Sequence, residues 1–147
     1  MTHKEKALSI FPQQYHCSQA VIAAFADEVG LSRNVALKIG ACFGSGMCKG
    51  EVCGACTGAL MVIGMKYTQE EDFNVEARQK ITNLTKRFLD LFEEANGSYL
   101  CRDILGYNLG NPEEAAKAKA QGLFLSVCPK KVASAVEILE KIMQETD

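Results

Sequence analysis

Residues 76–95 read EARQKITNLTKRFLDLFEEA, and their spacing decides the fold class. Apolar side chains fall at Ala77, Ile81, Leu84, Phe88, Leu91, Phe92 and Ala95, one stripe along about five turns of helix. Arg78, Lys80, Lys86, Arg87, Asp90, Glu93 and Glu94 fill most of the other side. Asn96-Gly97 follows, and a glycine past the last turn is a natural stop. The C-terminal segment repeats the pattern with Val132, Ala135, Val136, Leu139, Ile142 and Met143. Pro129 opens it, at a position where no backbone donor is needed. Residues 17–29 and 32–41 predict two further helices parted by Gly30, and residues 53–66 predict another. Asn111 is a natural cap for a helix that begins Pro112-Glu113-Glu114, and residues 3–10 are expected to form an opening helix. No alternating run of β-branched residues occurs. The expectation is an all-α fold of about six to eight helices, in a single compact cysteine-rich domain over residues 1–147.

A chain of 147 residues is long enough to bury a sizeable core, and 48% hydrophobic with 23% charged residues is ordinary for a globular protein. The net charge of −2 gives no electrostatic argument for nucleic acid or an anionic membrane as partner. Lys86-Arg87 and Lys130-Lys131 are only pairs, and read as solvated helix surface. The most apolar run, Val52 to Met65, is too short and glycine-rich to span a bilayer and suits a buried core helix. The opening MTHKEKALSIF has no long apolar stretch, so it does not read as an export signal, and a cytoplasmic protein is expected. No Ser-His-Asp set, GxxxxGK[ST], HExxH or nucleotide fingerprint is present, so no nucleotide cofactor is expected. The acidic residues fall on exposed helix faces, which leaves paired-carboxylate catalysis nothing to rest on.

Seven cysteines are the unusual feature. In a reducing compartment thiols are metal ligands, redox groups or nucleophiles more often than disulfides, and an isolated one is most often a small packing side chain. Their placement separates these readings. Cys17 opens the 17–29 helix, Cys53 the 53–66 helix, Cys101 a short turn, and Cys128 stands at the cap of the last helix. Free N–H groups and the helix dipole favour a negative sulfur at such positions. A thiol of pKa ~8.5 is only about 3% ionised at pH 7, whereas a shift of two units, about 2.7 kcal/mol, makes it roughly three-quarters thiolate. Two thiolates about 6 Å apart repel by roughly 2.8 kcal/mol at an effective dielectric near 20. Four converging helix starts would therefore need protons, disulfides or a cation to neutralise them. Cys42 and Cys56 read as packing, although Cys56 lies one turn beyond Cys53 and could resolve a disulfide with it. Cys48 sits in CFGSGMCKGEVCG (42–54), an irregular glycine-rich loop suited to close backbone approach.

These residues resemble a family of small redox-active proteins named for its cysteine pattern, C_GCAxxG_C_C. Cys17 lies in YHCSQA, the signature appears as Cys53-Gly54-Ala55-Cys56-Thr57-Gly58, Cys101 lies in CRDILG, and Cys128 closes the set. The resemblance runs over most of the chain. It implies an all-helical domain with four functional cysteines, related to a domain of split-Soret cytochrome c that is associated with an iron–sulfur centre. Carried over by position, the ligands are Cys17, Cys53, Cys101 and Cys128, with Gly54, Ala55 and Gly58 bordering the bound group. His16 stands where the family more usually has asparagine, and Cys42, Cys48 and Cys56 are additional to its four. There is no CxxCH, so no covalent haem is expected.

Three functions are set against one another. An iron–sulfur protein for electron transfer or sensing fits thiolates from several helix ends. Cys42, Cys48, Cys53 and Cys56 form a second, local ligand set, disfavoured because the 53–66 helix reads as tightly packed. A thiol–disulfide oxidoreductase would use Cys53 as attacking and Cys56 as resolving thiol. A zinc-stabilised regulatory module is the third, since four thiolates suit zinc, though a strong helical core needs no metal staple. A redox partner protein is implied, no nucleic-acid or membrane partner is expected, and a homodimer is compatible with the sequence.

Overall fold

The computed structural model describes residues 1–68 and 73–147. Among them the chain forms nine α-helices: α1 (His3–Ile10), α2 (Cys17–Phe25), α3 (Arg33–Ile39), α4 (Gly54–Tyr67), α5 (Val75–Asn96), α6 (Cys101–Leu105), α7 (Pro112–Ala120), α8 (Leu123–Ser126) and α9 (Cys128–Thr146). The fold is all-α, as the periodicity predicts. Among the described residues the sole β feature is an isolated antiparallel bridge between Val52 and Leu100.

The central element is α4. Its sequence GACTGALMVIGMKY carries no charge before Lys66, and a helix apolar on all sides is stable only when covered on all sides. α2, α5 and α9 supply that cover, α2 packing against α4 most extensively. α1 lies over α2 and α9, and α3 flanks α2. α5 is the opposite kind of helix: over 22 residues only Phe88 and Phe92 are fully buried, with Leu84 and Leu91 partly so, and its charges face out. Phe25, Ile22, Ile63, Phe88, Phe92 and Leu139 are the largest buried side chains. Each contributes about 1.5–3 kcal/mol by leaving water.

The termini follow from capping chemistry. Thr2 and Glu5 form a reciprocal box at the start of α1, Asn74 accepts from the Ala77 N–H at 2.9 Å, and Asn111 accepts from Glu113 and Glu114. Gly97 ends α5 with φ 85°, the left-handed conformation that glycine adopts without strain. Two boundaries and one element differ from expectation. The 17–29 helix is α-helical only to Phe25, then tightens into a 3-10 turn over Asp27–Val29, closed by Val29 N–H to Ala26 O at 3.2 Å. Cys128 is the first helical residue of α9, with Val127 before it as the cap, so Pro129 falls one place further in. The four-residue α8 has no counterpart in the sequence reading, because one turn of LFLS shows no period. No helix of the described residues is long and apolar enough to cross a membrane.

Candidate functional site

The spacing of CGACTG is explained by the joint between α2 and α4. Gly54 and Gly58 are four residues apart and share the face of α4 that meets the first turn of α2. A Cβ on Gly58 would stand 2.8 Å from the Ser18 carbonyl oxygen. One on Gly54 would stand 2.5 Å from Cys17 Sγ and 2.8 Å from Phe43 O. Two missing side chains thus let the helix starts close on each other, and Cys17 meets Cys53 across the gap. Buried polar groups lock the same turn. Ser18 Oγ donates to Gly40 O at 2.7 Å, Gln19 Nε2 donates to Leu37 O at 2.8 Å, and Gln19 Oε1 accepts from the His16 N–H at 2.8 Å.

Cys101 is brought in by the bridge. The Cys53 N–H donates to Tyr99 O at 2.8 Å and the Cys101 N–H donates to Glu51 O at 2.7 Å, on either side of the Val52–Leu100 pair. Two segments remote in sequence are thereby held side by side, each ending in a cysteine that starts a helix. The glycine-rich loop packs beneath them. Ser45, Gly46, Met47 and Cys48 run through the left-handed region, with φ of 54°, 61°, 58° and 61°. That conformation costs an L-residue roughly 1–2 kcal/mol. The Glu51 N–H closes the turn on Gly46 O at 3.0 Å. A Cβ on Gly46 would stand 2.4 Å from Glu51 N and 3.0 Å from Cys101 Cβ, so the loop is pressed against the Cys101 segment.

Cys17, Cys53, Cys101 and Cys128 all line one cavity of about 340 Å³. Its remaining wall is largely apolar, with Phe11, Tyr15, Leu109 and Phe124 prominent, and among the described residues it holds no carboxylate. Gly54 is on the wall, as are His16 and Ser45. Ala55 lies behind it and presents its backbone N–H to the Cys53 sulfur, while Gly58 lies at the contact with Ser18. Cys56 is fully buried one turn into α4 and its thiol points at Cys53. Cys42 and Cys48 are exposed and are not among the residues that line the cavity.

The electrostatics are asymmetric. Cys53 is held well below the usual thiol range because the Cys17 and Cys56 thiols donate to its sulfur, as do the N–H groups of Ala55 and Cys56. Cys17 is pushed well up by its bond to Cys53 and by burial, and Cys56 by burial and then by the same neighbour. Burial pushes Cys101 up to about 12, helped by the charge on Cys53. It pushes Cys128 up to about 11, against a downward pull from its own N–H and from Lys131. At Cys53 the helix-start N–H groups add to a lowering led by the two thiol donors; at Cys17 the bond to Cys53 is the main cause of the rise, and at Cys101 and Cys128 burial leads. Within the group the thiolate form is favoured at Cys53 and disfavoured at its neighbours. Among the described residues, no three His, Cys, Asp or Glu side chains are placed to hold one metal ion as they stand.

The family model described as "Putative redox-active protein (C_GCAxxG_C_C)" matches residues 15–142. The chain belongs to the C_GCAxxG_C_C family. The stretch that matches begins just before Cys17 and ends within α9, so it contains every element that carries a sulfur to the cavity. No curated protein and no solved structure matches the chain. Three features of this C_GCAxxG_C_C protein escape the sequence reading. The bridge at Val52 has no alternating run to announce it. Gln19 looks like an ordinary helix residue until its two bonds are seen. Lys131 reads as half of a solvated pair, yet only Lys130 is exposed, and Lys131 lines the cavity.

Proposed function

We propose that this redox-active family member is an electron-transfer or redox-sensing protein whose centre is an iron–sulfur cluster held by Cys17, Cys53, Cys101 and Cys128. The observation that carries this reading is that four thiols, each at a different helix start, line the wall of one cavity. The donor set fits the group: four cysteine thiolates are the usual ligands of such clusters, and backbone donors to sulfur tune them. Gly54 keeps the approach to Cys17 free of a side chain. When bound, the cluster supplies one-electron oxidation and reduction. The chain's own residues bind it, exclude water and manage protons. Ligation needs thiolates, a form favoured at Cys53 and disfavoured by the raised pKa values of Cys17, Cys101 and Cys128, so loading is favoured as pH rises. Phe11, Leu109 and Phe124 supply an apolar wall that limits solvent access.

A zinc site would need four sulfurs each about 2.3 Å from one ion. Sulfurs spread around a cavity suit a multi-iron group better than that arrangement. A cytoplasmic setting, where thiols stay reduced, suits the same reading, and the electron partner would be another protein docked at the cavity mouth.

A second reading has its own support. Cys53, its pKa lowered, is in contact with two thiols, the arrangement of an attacking cysteine with resolving partners. Cys56 is fully buried and Cys17 is on the cavity wall, so Cys17 is the better placed of the two to trade a disulfide with a substrate. Anaerobic purification, a visible spectrum and iron, sulfide and zinc analysis separate the cases. A brown protein with labile sulfide supports the cluster. A colourless metal-free protein whose thiol count rises with dithiothreitol supports exchange, and stoichiometric zinc supports a structural module.

A further inference from the structure

Lys131 lies one turn past Cys128 on α9 and is the only lysine or arginine among the residues lining the cavity. It is fixed in place: its Nζ donates to Asn96 Oδ1 at 3.0 Å. Asn96 Nδ2 donates in turn to Phe92 O at 3.1 Å and Ser134 Oγ at 2.9 Å. All of these partners are neutral. Among the described residues no carboxylate pairs with Lys131, and none lines the cavity. An ammonium tethered by an amide at the cavity wall, with no carboxylate to neutralise it, is placed to face any negative charge that develops in the cavity. The negative charge this cavity can develop is on its sulfurs.

We propose that Lys131 is the counter-charge of the sulfur centre, a positioning residue that keeps one positive charge against the electron that reduction adds. This rests on the reading of the cavity as a cluster site, and it names a residue outside the cysteine pattern. In the step concerned one electron enters from a reductant, no bond forms or breaks, and the centre becomes more negative by one charge. A fixed cation favours that reduced state, so its removal lowers the potential.

The test uses the full chain reconstituted anaerobically with ferrous iron and sulfide, titrated with dithionite while the visible spectrum is followed. Lys131→Met and Lys131→Gln should take up as much iron and sulfide as the wild type but show a more negative midpoint potential, while Lys131→Arg stays at the wild-type value. Equal potentials in all four proteins overturn the proposal. If none of them, wild type included, takes up iron and sulfide, the cluster reading fails and a second arm decides on Lys131. Cluster-free protein is alkylated with anionic iodoacetate or neutral iodoacetamide, and Cys53 and Cys128 are followed by peptide mapping. The ratio of the two rates should fall about threefold in Lys131→Met and Lys131→Gln and hold in Lys131→Arg. A ratio unchanged by loss of the charge overturns the proposal in that case.

Discussion

Cys53 and Cys56 stand one helical turn apart and have opposite chemistry. Cys53 caps α4 and collects donors from two thiols and two backbone N–H groups, whereas Cys56 is enclosed by the core and stays protonated. Cys53→Ser should therefore abolish iron uptake, measured by metal and sulfide analysis after reconstitution, and Cys42→Ser should leave it unchanged. Equal losses from the two would undo the division between cavity and surface thiols. Gly54 is the other decisive residue. A methyl group there would overlap Cys17 Sγ and Phe43 O, and overpacking of this kind costs about 1–3 kcal/mol. Gly54→Ala should show that loss in urea unfolding together with impaired iron uptake; a wild-type midpoint would mean that α4 can retreat without disturbing Cys17.

Among the elements, the first turn of α2 is the most constrained. Gln19 joins it to the end of α3 through Leu37 O and to its own cap through the His16 N–H. Gln19→Leu keeps the volume but strands a buried carbonyl, so a loss of about 1–3 kcal/mol is expected in chemical denaturation. A loss near zero would show that the Leu37 carbonyl finds water. Legibility in the sequence follows the length of each element's pattern. α5 and α9 run for 22 and 19 residues, long enough for apolar positions to repeat, and both were readable from spacing. α8 and the left-handed turn at Ser45–Cys48 were not. One is a single turn, and the other places serine, methionine and cysteine where propensity expects glycine. The four helix-start cysteines could be placed along the chain, but Cys17 meets Cys53 through the glycine joint of α2 and α4, and Cys101 comes beside Cys53 through the bridge at Val52 and Leu100, a two-bond feature below the reach of any periodic signal. Lys131 was hidden for another reason. Charge pairs on helices are usually solvated, and only the direction of α9 relative to the cavity tells Lys131 from Lys130.

For the molecule as a whole, the buried thiols set an alkaline limit. Cys101 and Cys128 titrate at about 12 and about 11 in the fold, above the ordinary thiol value near 8.5. Their neutral forms are favoured by folding, so this contribution is complete below about pH 8.5 and is lost as pH rises towards the folded values. Each such thiol should lower the stability of cluster-free protein by about 1.4 kcal/mol per pH unit across that window. Cys53 acts in the opposite sense, its contribution being full above the ordinary thiol range and fading as pH falls. Urea midpoints from pH 8.5 upward should decline, and less steeply in Cys128→Ser; an identical slope in that variant would refute the assignment. The dispersal of the four sulfurs also bears on biosynthesis. A ribosome delivers Cys17 first and Cys128 last of the four, so a nascent chain holds three of these sulfurs while the fourth is still to come. A cluster held by all four, as proposed, would form only after α9 has been made and folded, and a chain cut before Cys128 would lack one of its ligands.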